Sequence, residues 1–327
     1  MTRRAGRRTR PRSRDARKLM RAAFFVPAVF LLVLLVVYPV AQTVYLSFFS
    51  RSGQFAGLDN YGAVLSDRDT IDLSDTRLPY GTLIHNAIWI SIHLPLSLFT
   101  GLFLALTLQK VRGAAIVKSM IFLGMVTPLV VGGIILRFLF DERSGIVPVG
   151  LGLLGVHSLA IQWTAFPATL LFGLILGSVW LWTGFSMIVY SAGVTTIPRD
   201  YFEAALIDGA SSWRTFRKIT WPLLRPITLV VVTMTLLWEL KLFDIVIAAA
   251  DPGGGVSGAA DVLALQMFRY GFVNIPRQYN EAAVVATLLT FLTLVIAGSL
   301  FRRILLGAPK KKRRFHLVGG LRRMLHI

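Results

Sequence analysis

Six blocks of apolar sequence, each long enough to cross a bilayer, constrain this chain more than anything else in it. A spanning helix needs about 20 mostly apolar residues. The blocks fall near residues 22–46, 84–108, 116–137, 168–192, 226–249 and 281–303. In hydrocarbon every backbone N–H and C=O must be satisfied within the protein, so such blocks form helices. The expected fold is therefore all-α: a polytopic membrane protein with six transmembrane helices.

The charged residues orient it. Lys and Arg mark the cytoplasmic side of a membrane protein. Residues 1–21 hold ten of them, 109–118 three, 193–225 five and 302–327 nine. The alternate segments are poor: three in 49–82, two in 137–167 and two in 250–280. This 27-to-7 division puts both termini in the cytoplasm, with Lys241 left inside a span. Basic tails at 1–21 and 304–327 flank a six-span domain at 22–303. Their charge suits topology and contact with anionic lipid headgroups. Neither tail interleaves aromatics for stacking on bases, which argues against nucleic acid as a partner. The apolar run after Arg21 is too long for a cleaved signal and lacks a small-residue cleavage site, so it reads as an uncleaved anchor. The absence of cysteine excludes disulfides, thiolate metal sites and Cys nucleophiles.

The external segments are short. Residues 49–82 contain "GLDNYGAVL", the start of a short amphipathic helix, and carry five Asp between 59 and 75. Residues 138–167 are only half polar, so part of them is expected to pack on the bundle. Residues 250–280 open with "DPGGGVSG", a flexible turn by composition. Pro27, Pro39, Pro95 and Pro128 with Gly132 and Gly133 interrupt the first three spans; such breakers persist in membranes where neighbouring helices re-satisfy the backbone.

The segment 193–225 is more than a connector. Pro198 suits a first helical turn. Residues 199–207 then read as a short amphipathic helix, with Phe202, Ala205 and Leu206 on one face. Gly209 is a natural terminator, and Ser211 or Ser212 caps a second helix, "WRTFRKI". The expectation is a cytoplasmic helix–turn–helix elbow between helices four and five.

Charges within spans are costly and mark function by default. The fifth block holds Glu239, Lys241 and Asp244 in "WELKLFDIV". Lys241 and Asp244 are three apart, share a helix face and are expected to form a structural pair. Glu239 points elsewhere and suits a cavity. In the fourth block, Ser178, Trp182 and Phe185 recur at i, i+4 and i+7, giving one face an aromatic character. Aromatic plates with a few polar partners suit a sugar; tryptophan is equally an interfacial anchor. The five histidines form no metal-ligand pattern, and "DERSG" at 141–145 reads as a surface turn. No G-x-x-x-x-G-K-[ST] occurs, so the chain has no such cradle for ATP phosphates. It is not expected to be an enzyme or to need a cofactor.

The stretch "EAALIDGASSWRTFRKITWP" resembles the EAA loop of ABC importer permeases: E-A-A, three residues, G, nine residues, I-x-L-P. Glu203, Ala204, Ala205, Gly209, Ile219 and Pro222 are in register; Trp221 stands where leucine is usual. "GLDNYGAVLSD", "NAIWISIHLPLSLFTGLFLALTLQK" and "LFDIVIAAADPGGG" resemble the carbohydrate (maltose-type) branch. The resemblance implies a multi-pass permease of a bacterial cytoplasmic membrane. It implies a second permease subunit, related but different, two cytoplasmic ATPase subunits and an extracytoplasmic solute-binding protein as partners. The elbow becomes a coupling helix, with Glu203, Ala204, Ala205, Asp208 and Gly209 docking on the ATPase. The substrate path falls on Ser178, Leu181, Trp182, Phe185, Thr235, Trp238, Glu239 and Leu242. The expected substrate is a sugar or sugar-like solute; the alternatives are glycerol-phosphate-like compounds or peptides. A secondary transporter is the remaining rival, but it leaves the elbow unexplained and normally shows repeat symmetry.

Overall fold

The computed structural model describes residues 14–74, 77–109 and 111–307. Residues 1–13 and 308–327, most of the two basic tails, lie outside the described residues, as do Asp75, Thr76 and Lys110. The elements are helical: α1 (Arg14–Leu32), α2 (Tyr38–Ser47), α3 (Asp59–Ser66), α4 (Thr82–Thr107), α5 (Ala114–Val126), α6 (Leu129–Leu139), α7 (Ile146–Leu153), α8 (Pro167–Thr195), α9 (Arg199–Ile207), α10 (Ser212–Thr215), α11 (Trp221–Glu239), α12 (Asp244–Ala250), α13 (Leu263–Phe268) and α14 (Tyr279–Gly307). Among the described residues the β-type pairing is a single bridge, Phe49 to Phe55. Five helices are long and apolar enough to span a membrane, and a sixth span is counted if α5 and α6 are one broken segment.

Two expected spans are not continuous helices. The third breaks at Thr127–Pro128, where proline removes a backbone donor. The fifth was expected over 226–249. Instead a helical run from Ser212 to Glu239 ends there, and α12 begins at Asp244. The run starts inside the elbow: α10 continues through a wide turn at Phe216–Thr220 into α11. Nothing in "ELKLFD" is a helix breaker, so the sequence concealed the stop.

The described chain falls into two compact units. One holds residues up to Ile88, Leu129–Leu176 and Lys241–Thr290; the other holds Trp89–Pro128, Gly177–Leu240 and the residues from Phe291.

In the first unit, two asparagines finish α2. Asn60 donates to the carbonyls of Ser47 and Phe49, and Asn280 to those of Leu46 and Phe49. The last carbonyls of a helix have no partner within it, so these side chains supply one. Asn60 lies in "GLDNYGAVL", and the expected short helix there is α3. Gly133 lets the carbonyl of Ile245 on α12 come against α6. Trp163 stacks on Phe140, 5.1 Å between centroids. The loop opened by "DPGGG" is packed rather than loose. Gly254 is buried at φ +74°, and a β-carbon there would meet the backbone of Asp261 at 2.8 Å.

The second unit has a core of Leu98, Leu102 and Ala105 from α4, Met187, Tyr190 and Val194 from α8, and Leu224 and Val231 from α11. Lipid tails are as apolar as leucine, so helices associate in a membrane by close packing. Small residues provide it. Gly101 abuts Ser186, Gly184 abuts the carbonyl of Ile121, and Gly193 abuts Leu224 and Ile227.

Candidate functional site

The elbow forms as its residues dictate. Pro198 precedes α9, and α9 ends at Ile207. Gly209 adopts φ +66° and donates to the carbonyl of Leu206 at 3.1 Å, while Ala210 donates to that of Ala205 at 2.9 Å. This pair of bonds closes a helix end when the following residue is left-handed, a conformation that costs glycine little. Ser211 then caps the next helix by accepting from the Arg214 N–H.

Glu203, Ala204, Asp208 and Gly209 are exposed on this elbow, and Ala205 is buried. Ala205 and Phe202 face inward, and Phe202 packs on the core of the unit. Leu206 was expected on that inward face but is 79% exposed. Tyr201, Ile207 and Trp213 are exposed too. Behind the elbow lies a cavity of about 440 Å³, lined by Leu106, Gln109, Val194, Phe202, Phe216 and Thr220 among others. The elbow thus presents an exposed surface that bears carboxylates and large apolar side chains, held by a tight turn.

The second site lies within the same unit, where α4, α8 and α11 meet. Trp182 and Phe185 of α8 both contact Trp238 of α11, at 6.1 and 4.9 Å between centroids. His93 of α4 stands perpendicular to Trp182 at 5.3 Å. Its Nδ1 lies 2.6 Å from Glu239 Oε1, and both side chains are 1% exposed. Ser178, Leu181 and Thr235 are buried and Trp238 is partly exposed. Leu242 lies past the end of α11, in the other unit, and is buried. The sequence reading missed His93, having tested the histidines only for metal spacing. The available signal was an ionisable ring in the middle of an apolar block.

The expected pairing of Lys241 with Asp244 does not form. Lys241 lies in the break after α11 and Asp244 opens α12, Lys241 is exposed, and among the described residues no ion pair joins them. Helical i, i+3 neighbours meet only on a continuous helix. Asp244 instead occupies the first turn of α12, where a carboxylate meets the positive end of the helix dipole.

A polar network organises the external segments of the first unit. Arg269 bridges Asp261 and Asp69, the latter at 2.9 Å. Tyr270 donates to Asp67 at 2.8 Å. Gln266 accepts from Thr82 and donates to Thr70. His85 Nε2 accepts from the Tyr80 N–H, so Nδ1 donates to the Asp261 carbonyl at 2.9 Å. Burial pushes the Asp261 carboxyl up to about 7, against the opposing pull of Arg269. Asp67 and Asp69, two of the five aspartates between 59 and 75, are therefore partners in this network. A cavity of about 230 Å³ opens here between Arg68, Gly81 and Gly253. No cluster of His, Asp and Glu among the described residues is arranged to hold a metal.

Comparison with known proteins agrees with the elbow. Residues 97–309 match the family model described as binding-protein-dependent transport system inner membrane component. The chain is 55% identical over 285 residues to a probable ABC transporter permease protein of Pyrococcus horikoshii, covering 86% of this chain and 96% of that protein. It is 32% identical to the alpha-glucoside transport system permease protein AglF of Rhizobium meliloti, covering 84% and 79%. In fold it is similar to a chain in the crystal structure of a bacterial ABC transporter involved in import of the acidic polysaccharide alginate. There the TM-score is 0.72 at 19% identity, over 88% of this chain and 96% of the other.

Proposed function

The chain belongs to the family of binding-protein-dependent transport system inner membrane components, and from that premise we propose that it is the permease subunit of an ATP-driven importer of a sugar or sugar-like solute. It works in a cytoplasmic membrane with a second permease, two cytoplasmic ATPase subunits and an extracytoplasmic binding protein. The chain carries no P-loop motif of its own, which supports ATP hydrolysis on another polypeptide. The observation that carries the reading is the elbow, where Glu203 and Gly209 stand exposed on a turn closed by the Leu206 and Ala205 carbonyls.

Mechanically, the ATPases draw their bound elbows together, and the motion passes along the helical run from Ser212 to Glu239. Glu239 lies at the far end of that run, so displacement of the elbow reaches the aromatic site directly. That site is the solute path, with Ser178, Leu181, Trp182, Phe185, Thr235, Trp238 and Glu239 as candidate lining residues. The sugar assignment draws support from the tryptophan and carboxylate chemistry of the site and from the alpha-glucoside permease among the relatives.

The test is co-purification from native membranes of the wild type and of a Glu203→Lys/Gly209→Trp variant, with partners identified by mass spectrometry. An ATPase that accompanies the wild type and is lost from the variant supports the reading. Uptake that continues without ATP overturns it in favour of a secondary transporter.

A further inference from the structure

His93, which no motif singles out, is one of the buried polar groups of the second unit and touches both Trp182 and Glu239. The ring reaches across from α4 to α11, with Nδ1 2.6 Å from Glu239 Oε1; toward an ionised Glu239, Nδ1 is the protonated, donating nitrogen. In the neutral imidazole the other nitrogen, Nε2, is then an acceptor. It is buried and has no hydrogen-bond partner among the described residues. Three more buried polar atoms nearby in the fold are in the same condition. Trp182 Nε1, on the ring that His93 meets edge to face, is a pure donor. Ser186 Oγ lies one turn along α8 from Trp182, and Thr235 Oγ1 one turn before Glu239 on α11. A buried donor or acceptor of this kind has lost its bonds to water with nothing in return. Four of them on three packed helices of one unit is not how an apolar core is built.

The geometry points to a binding site for an uncharged, polyhydroxylated solute in which His93 Nε2 and Trp182 Nε1 take opposite hydrogen-bonding roles toward hydroxyl groups. The inference rests on the importer reading and deepens it. A hydroxyl both donates and accepts, so one class of group satisfies an acceptor nitrogen, a donor nitrogen and the two side-chain hydroxyls. Trp182, Trp238 and Phe185 then offer apolar faces to the C–H surfaces of a sugar ring. A carboxylate or phosphate has no hydrogen for Nε2 and meets the Glu239 charge behind it. The site therefore selects against acidic saccharides. His93 acts twice: it holds Glu239 in place through Nδ1 and contacts solute through Nε2.

The test uses the complete transporter, purified through this chain with its partners and binding protein and reconstituted in proteoliposomes. The probes are radiolabelled maltose, trehalose, sucrose and, as an anion, digalacturonate. Wild type is compared with His93→Gln, His93→Ala and Trp182→Phe. Import of at least one neutral probe well above digalacturonate is expected. His93→Ala and Trp182→Phe each lower that import about tenfold, the equivalent of one hydrogen bond. His93→Gln recovers part of the loss and changes the ratio between two neutral probes. A purely structural His93 would lower all probes by one common factor, and that result overturns the inference, as does full import by His93→Ala. Preferred import of digalacturonate by the wild type overturns it too. Wild type that imports none of the four saccharides while hydrolysing ATP sinks the sugar reading itself, a result separate from any variant effect.

Discussion

Gly101 on α4 is pressed against Ser186 on α8 so closely that a β-carbon at Gly101 would collide with the Ser186 Cβ and sit 2.8 Å from the Met187 nitrogen. This contact sets the distance between two helices that carry His93 and Trp182. Overpacking of such a point costs about 1–3 kcal/mol. Gly101→Val is expected to lower the melting temperature of the detergent-solubilised protein, whereas Gly298→Ala, where a β-carbon meets nothing within 4 Å, leaves it nearly unchanged. Equal melting curves for the two would show that the close approach does not matter.

The elbow turn makes a conformational prediction rather than a steric one. Gly209 is at φ +66° with nothing within 4 Å of its missing β-carbon. A left-handed L-residue costs about 1–2 kcal/mol, and asparagine tolerates the region better than most. Gly209→Asn is expected to retain most ATP-coupled uptake and Gly209→Val to lose most of it. If both variants behave alike, the positive φ is not what the position requires.

Asp261 gives a pH dependence with a defined sign. The folded carboxyl keeps its proton up to about 7, because burial outweighs Arg269, while the unfolded chain loses it near 3.8. Between those values the folded form binds more protons, so this group's contribution to stability declines as pH rises from about 4 to about 7 and then levels off. Asp261→Asn removes the titration. Hydrogen exchange of residues 250–280 at pH 5 and pH 8 should therefore change less with pH in the variant than in the wild type. A variant with the same pH dependence as wild type would assign the effect to another group.

Asn60 and Asn280 converge on the Phe49 carbonyl at 2.7 Å each. Either alone can cap the end of α2, so single substitutions to Leu are expected to cost about 1 kcal/mol and the pair more than their sum. A double-mutant cycle read by thermal unfolding measures the excess. By contrast the half-exposed Arg51–Glu281 pair is screened by solvent, and Glu281→Gln is expected to change stability by less than about 1 kcal/mol.

What the sequence determined by itself was everything that depends on neighbours along the chain. Apolar blocks made spans because hydrocarbon leaves the backbone no other partner. Pro198, Gly209 and Ser211 made the elbow because each has a local conformational or capping preference that needs no distant contact. Trp182 and Phe185 could be placed on one face because a helix brings i and i+3 together. Tertiary structure decided the rest. It ended α11 at Glu239 with no breaker in the sequence, and so separated Lys241 from Asp244. It packed Gly254 of a loop that looked loose against Asp261, and it tied the exposed Asp67 and Asp69 to Tyr270 and Arg269. Above all it joined His93 to Glu239 across 146 positions of chain. A hydrogen bond of that kind leaves no periodicity or spacing to read. It exists only once the two helices have packed face to face in the folded bundle.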